Sequence, residues 1–83
     1  MRIKTEGISW QELDGELVIL DLDRSVYLTT NAAGAELAKQ LLEDRTLDDL
    51  ADHLVDVYEI DRETAVRDAQ AFVDALREKQ LLA

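Results

Sequence analysis

The sequence predicts an α+β fold in which a three-stranded antiparallel sheet is followed by three helices, and three observations carry that expectation. Short runs with strand composition occupy the first third of the chain, the turn dipeptide Asp14-Gly15 separates the first two, and from Thr30-Asn31 onward the apolar spacing lengthens from about two residues to about 3.6. With 83 residues there is material for one small core, so residues 1–83 are expected to form a single domain.

Residues 8–13 alternate loosely between apolar and polar, as a strand with one wet face does. Asp14-Gly15 then suits a hairpin turn, because glycine takes positive φ without a Cβ clash. Leu17-Val18-Ile19-Leu20-Asp21-Leu22 is nearly continuous in apolar residues and rich in β-formers, which predicts a second strand buried on both faces. Asp23-Arg24-Ser25 supplies the next turn, and Val26-Tyr27-Leu28-Thr29 the third strand of a meander.

The first helix is expected to be capped by Thr30 or Asn31, to carry Ala35, Leu37, Ala38, Leu41 and Leu42 on one stripe, and to end near Asp44. Thr46-Leu47-Asp48-Asp49 resembles a capping box with Asp in the usual Glu position, and Leu47, Leu50, Ala51, Leu54, Val55 and Tyr58 follow at spacings of three and four. Asp61 opens the third helix, whose stripe is Ala65, Val66, Ala69, Phe72, Val73 and Leu76, with Arg77 and Lys79 near the C-terminal end, where the helix dipole favours cations. Leu81-Leu82 are expected to fold back onto the core. The short Glu59-Ile60 link makes the outline that of a winged helix-turn-helix domain with its strands placed first.

Composition excludes several classes of function. The chain has no cysteine, so a disulfide framework, a cysteine-ligated zinc site and a thiol nucleophile are ruled out. No apolar run approaches the roughly 18 residues of a membrane span and no apolar signal core follows Met1-Arg2-Ile3-Lys4, which places the protein in the cytoplasm away from membranes. The net charge of −10, with 12 acidic against 5 basic residues in positions 41–83, repels phosphate backbones. Between Asp61 and Lys79, where a recognition helix would lie, 4 basic residues face 5 acidic ones, so a winged-helix DNA-binding regulator is the weakest of the alternatives.

Chemistry is equally sparse. His53 is the single histidine and has no second histidine or cysteine to complete a transition-metal set, so it reads as a surface or boundary residue. Asp21-Leu22-Asp23-Arg24-Ser25 imitates the start of a calcium loop, but Val26 and Ala32 occupy the positions that need glycine and glutamate. Asp48, Asp52 and Asp56 lie four apart and read as a solvated helix face. No serine has a general base placed beside it by spacing, and no glycine-rich phosphate loop exists, so no catalysis, metal or cofactor is expected. Peptide or protein recognition remains. The third strand ends the meander, and its outer backbone groups either accept an added strand from a partner or are covered by the third helix or the C-terminal leucines.

The succession Gly15-Glu16-Leu17-Val18-Ile19-Leu20-Asp21-Leu22, Val26-Tyr27-Leu28, Thr30-Asn31-Ala32-Ala33-Gly34, Arg45-Thr46-Leu47-Asp48-Asp49-Leu50, Asp68 to Leu76 and Leu81-Leu82 resembles the PqqD-like family, the leader-peptide recognition domains of ribosomally made, modified peptides. The resemblance runs from about Ile8 to the C-terminus and rests on the order and spacing of apolar patterns. It implies a winged-helix-like fold of three strands and three helices that binds the leader of a precursor peptide as an added strand beside the third strand and against the third helix. Carried over by position, it puts the edge at Val26, Tyr27, Leu28 and Thr29 and the helical wall among Val66, Ala69, Phe72 and Val73. Ala69 and Phe72 lie centrally on the stripe, where a core claims them, and Val66 and Val73 toward one margin. An aromatic residue in the third strand and the absence of proline are similar to the free-standing leader-binding proteins of lasso-peptide clusters, which work with a leader peptidase and an ATP-dependent cyclase. The peptide chaperone of pyrroloquinoline quinone synthesis is the alternative the same resemblance implies.

Overall fold

The computed structural model describes residues 1–83, with three strands, β1 (Ile8–Leu13), β2 (Glu16–Asp21) and β3 (Val26–Thr30), followed by three helices, α1 (Ala32–Gln40), α2 (Leu47–Tyr58) and α3 (Arg62–Glu78). The sheet is antiparallel in the order β1-β2-β3. Leu13 pairs with Glu16 across a two-residue turn, and both turn residues, Asp14 and Gly15, have positive φ. That combination is the turn whose twist matches a right-handed hairpin.

β2 departs from the expectation of burial on both faces. Leu17, Ile19 and Asp21 are buried whereas Val18 and Leu20 are half-buried, because the helices cover only one face of the sheet. The strand also stops at Asp21, and Leu22 enters the turn 59% exposed.

α1 begins where Asn31 accepts a hydrogen bond from the Gly34 amide at 2.9 Å. It ends at Gln40, earlier than the apolar stripe implies, because the Leu41 carbonyl accepts from the Ile3 amide at 2.8 Å and the chain turns away. Leu42 is consequently half exposed rather than part of the core. The α2 capping box is complete: the Asp49 amide donates to Thr46 Oγ1 at 3.1 Å and the Thr46 amide to Asp49 Oδ2 at 2.9 Å. Leu50, Ala51 and Leu54 of α2 and Ala65, Ala69, Val73 and Leu76 of α3 join Leu17 and Ile19 in one core, and Leu81 folds back into it. Tyr58, at the end of its stripe, is 39% exposed.

The first seven residues have a structural part that periodicity does not reveal. Ile3 is buried, bridges to Leu82, and is flanked by bonds from the Lys4 amide to Leu81 and from the Ala83 amide to Arg2. The Met1 ammonium reaches Asp44 at 2.5 Å.

Asp21 is the only buried charged side chain. It accepts from the Asp23 amide at 3.1 Å, the Arg24 amide at 3.3 Å, Arg24 Nε at 3.0 Å and Lys4 Nζ at 3.5 Å. Burial pushes its carboxyl up, but the Arg24 bonds and the Lys4 charge outweigh burial and hold it below the ordinary value of 3.8. The N-terminal ammonium does the same for Asp44, and the Thr46 amide for Asp49. A depressed folded pKa means that the unfolded chain takes up protons first, so this stability is present above about pH 5, begins to be lost near the unfolded value, and is gone once pH has fallen through the lower folded one. Denaturant midpoints are therefore expected to be flat from about pH 7 to 5 and to fall below about pH 4. Asp21→Asn should lower the midpoint at neutral pH and lose less on acidification, so that the two curves converge; parallel curves would remove Asp21 from the linkage.

Candidate functional site

The turn at Asp14-Gly15 decides which backbone groups β3 presents to solvent. In a two-residue hairpin the closing pair, Leu13 and Glu16, exchanges both hydrogen bonds, and the direction of N–H and C=O alternates along the strand. Glu16, Val18 and Leu20 therefore point toward β1, and Leu17, Ile19 and Asp21 toward β3. The Leu22 amide, which donates to Gly7 on the β1 side at 2.9 Å, continues the same alternation. The partners of Leu17, Ile19 and Asp21 are Thr30, Leu28 and Val26, so these three turn their backbone groups inward. Tyr27 and Thr29 turn theirs outward, and no loop, cap or side chain takes them up. The edge is open rather than covered by α3 or the C-terminal leucines. Side chains follow the same parity: Val26, Leu28 and Thr30 are half-buried on the helix side, and Tyr27 is 62% exposed.

Two depressions lie end to end beside this edge. One, of about 410 Å³, is lined by Ser25 through Thr29 and by Lys79. The other, of about 370 Å³, is lined by Thr30 at the end of β3, by the Asn31 cap and the first two turns of α1 as far as Leu37, by Leu54 of α2, and by Asp68, Ala71 and Phe72 of α3. Together they follow β3 from Ser25 to Thr30 and α3 back from Lys79 to Asp68, so the helix runs against the strand. The four extended steps of β3 from Val26 to Thr30 span about 14 Å and the eleven helix steps from Asp68 to Lys79 about 17 Å, so the strand wall, with the Ser25 turn added, is close in length to the helix wall.

All four edge residues expected from the sequence, Val26, Tyr27, Leu28 and Thr29, line the first depression, and Phe72 lines the second. Ala69 and Val73 do not reach either: they are 0% and 1% exposed and have no surface to offer. Val66 packs against the core on the other flank, since at 3.6 residues per turn it lies about 120° around the helix from Phe72. The α3 wall is instead Asp68, Ala71, Phe72 and Lys79, of which only Phe72 belongs to the apolar stripe. The small residues on that flank, Ala71 and Ala75, let backbone approach closely, and their spacing from Asp68 and Lys79 is the signal in the sequence that an apolar stripe alone does not convey.

The remaining candidates are accounted for locally. His53 bonds Glu36 at 3.0 Å, and no group of three or more histidine, cysteine, aspartate or glutamate side chains is placed to hold a metal ion. Asp48 and Asp52 are not simply solvated, because both reach the Arg62 guanidinium of α3.

Comparison with known proteins places this geometry among relatives. The family described as "Coenzyme PQQ synthesis protein D (PqqD)" matches residues 16–82. Among solved structures, TbiB1 in complex with the TbiA(beta) leader peptide is similar at 30% identity and a TM-score of 0.83, over 99% of this chain and 94% of that one. Lasso peptide synthetase B1 complexed with the leader peptide is similar at 31% identity and a TM-score of 0.77, over 93% of this chain and 91% of that one. No curated protein matches the chain.

Gly34 shows how tightly the Thr30 end of the groove is assembled. A Cβ at this position would lie 1.6 Å from Thr30 Oγ1 and 2.8 Å from Thr30 Cβ. Gly34→Ala should therefore destabilise the fold by about 1–3 kcal/mol, although alanine is the better helix former by up to about 1 kcal/mol. Thr30→Ala in the same chain should recover part of that loss, since it removes the hydroxyl but leaves the Cβ contact. Thermal denaturation of the single and double variants checks both expectations, and a Gly34→Ala protein more stable than wild type would contradict them.

Proposed function

Because the chain belongs to the PqqD family, we propose that it binds the leader segment of a ribosomally synthesised precursor peptide as an added strand on β3, facing α3. The observation that carries this reading is the outward backbone of Tyr27 and Thr29 along depressions lined by β3 and by residues of α3 and its C-cap. A peptide strand laid there obtains its register from main-chain hydrogen bonds and its selectivity from the side-chain depressions on either side. Val26, Leu28 and Phe72 supply apolar surface, Tyr27 an exposed aromatic ring, and Ala71 the close approach.

The precursor is assigned to lasso-peptide biosynthesis because two leader-bound relatives share 30% and 31% identity over nearly the whole chain, and the second of them is a lasso peptide synthetase B1. The chaperone role in pyrroloquinoline quinone synthesis has only the family description in its favour. The protein acts as a non-catalytic adaptor in the cytoplasm: holding the leader raises the effective concentration of the precursor at a leader peptidase and an ATP-dependent cyclase, without chemistry of its own. No helix is long and apolar enough to cross a membrane.

Backbone parity sharpens the test. Proline is tolerated on an edge strand where its missing N–H faces solvent, so Thr29→Pro should fold and lose one donor to the peptide. Titration calorimetry with a synthetic peptide of the cognate precursor's leader should show a loss of about 1–3 kcal/mol, a roughly five- to hundredfold weakening, for Thr29→Pro. Leu28→Pro removes a bond to Ile19 instead, and should lower the melting temperature itself. Asp56→Ala, on the outer face of α2, should leave affinity unchanged. A folded Thr29→Pro protein that binds as tightly as wild type would rule out strand addition at β3, and duplex DNA binding at low salt would favour the regulator instead.

A further inference from the structure

The two ends of the groove carry opposite, unpaired charges. Lys79 closes the Ser25 end, and its ammonium has no hydrogen-bond or ion-pair partner in the fold. Its surroundings reinforce the sign: Arg24 and Lys4 share the single carboxylate of Asp21, and Asp23 lies against Gly7 on the β1 side of the turn. Asp68 stands at the Thr30 end, equally without a partner, and the nearby Glu36 is engaged by His53. Between them the wall is small or apolar, with Ala71 and Phe72. Elsewhere on the helices exposed charges are often spent on each other, as Arg62 is on Asp48 and Asp52. Two free charges of opposite sign at the two limits of one groove form a polar pair of markers.

Resting on the leader-binding reading above, we propose that Asp68 and Lys79 select the peptide by charge order and thereby fix its direction and register. A strand that continues the antiparallel alternation of the sheet runs from the Thr30 end toward the Ser25 end. Its first part passes Asp68 and its last part Lys79. The preferred segment therefore carries Lys or Arg, then Asp or Glu about five residues later, since eleven helix steps from Asp68 to Lys79 span about 17 Å and a strand rises about 3.4 Å per residue. Complementary charges at a rim contribute to orientation and selectivity more than to total affinity, and a reversed peptide meets repulsion at both ends.

The test uses the full chain and a displayed library of random dodecapeptides, panned at low salt on wild type and on the doubly swapped Lys79→Glu/Asp68→Lys protein. Wild type should enrich peptides in which a basic residue precedes an acidic one by about four to six positions, and the swapped protein should enrich the opposite order. A wild-type-selected peptide, resynthesised, should bind the swapped protein about 3- to 10-fold more weakly and recover when its two charges are exchanged, with the difference shrinking at high salt. Recovery by the exchanged peptide also demonstrates that the swapped protein is folded. Peptides enriched on both proteins with the same charge order, or with none, overturn the charge-order proposal while leaving strand binding intact. Failure of both proteins to enrich any peptide overturns the leader-binding reading as well.

Discussion

Asp21 has no exposed surface, yet it carries a carboxylate that two backbone amides, Arg24 and Lys4 surround. A buried charge without partners would cost several kcal/mol, so the fold must bring the partners to it, and each one positions a different part of the chain. Lys4 draws the N-terminal segment alongside the sheet, where Ile3 enters the core and meets Leu82. The Asp23 and Arg24 amides shape the turn that leads into β3. Arg24 then spends its remaining N–H groups on the Lys79 carbonyl and the Gln80 side chain, joining that turn to the C-terminal end of α3. The last carbonyls of a helix need donors from outside it, and here the donor is the residue that also neutralises Asp21. Arg24 thus ties the Ser25 end of the groove both to Asp21 and to the C-terminal end of α3.

The other end is held by contact rather than charge. Gly34 lets the first turn of α1 settle on Thr30, and a side chain there would push the helix off the strand. The Asp14-Gly15 turn adds the remaining constraint, since a turn of different length would move the parity of β2 by one residue and reverse which β3 groups face outward. The open edge at Tyr27 and Thr29 is therefore a remote consequence of two residues in the opposite hairpin.

The strand half of the site is legible in the amino-acid sequence, because an edge follows from strand order and a period of two. The helix half is not. An apolar stripe has two margins that are equivalent in sequence, and Val66 and Val73 belong to one of them while Asp68, Ala71 and Lys79 border the other. Which margin meets the strand depends on the rotation of α3 about its axis, and that is settled by seating Ala65, Ala69 and Leu76 in the core.

Features governed by neighbouring residues can be read directly from the chain: the positive-φ turn at Asp14-Gly15, the Thr46-Asp49 capping box, the Asn31 cap, and the 3.6-residue stripe that runs through each helix. Their energies come from bonds spanning two to four residues, so composition and spacing suffice. The burial of Asp21, the early end of α1 at the Ile3–Leu41 bond, the open outer face that leaves Val18 and Leu20 half-exposed, and the facing of α3 toward β3 belong to another class. Each depends on groups far apart in sequence competing for one volume, and close packing admits one arrangement of them that no local pattern encodes.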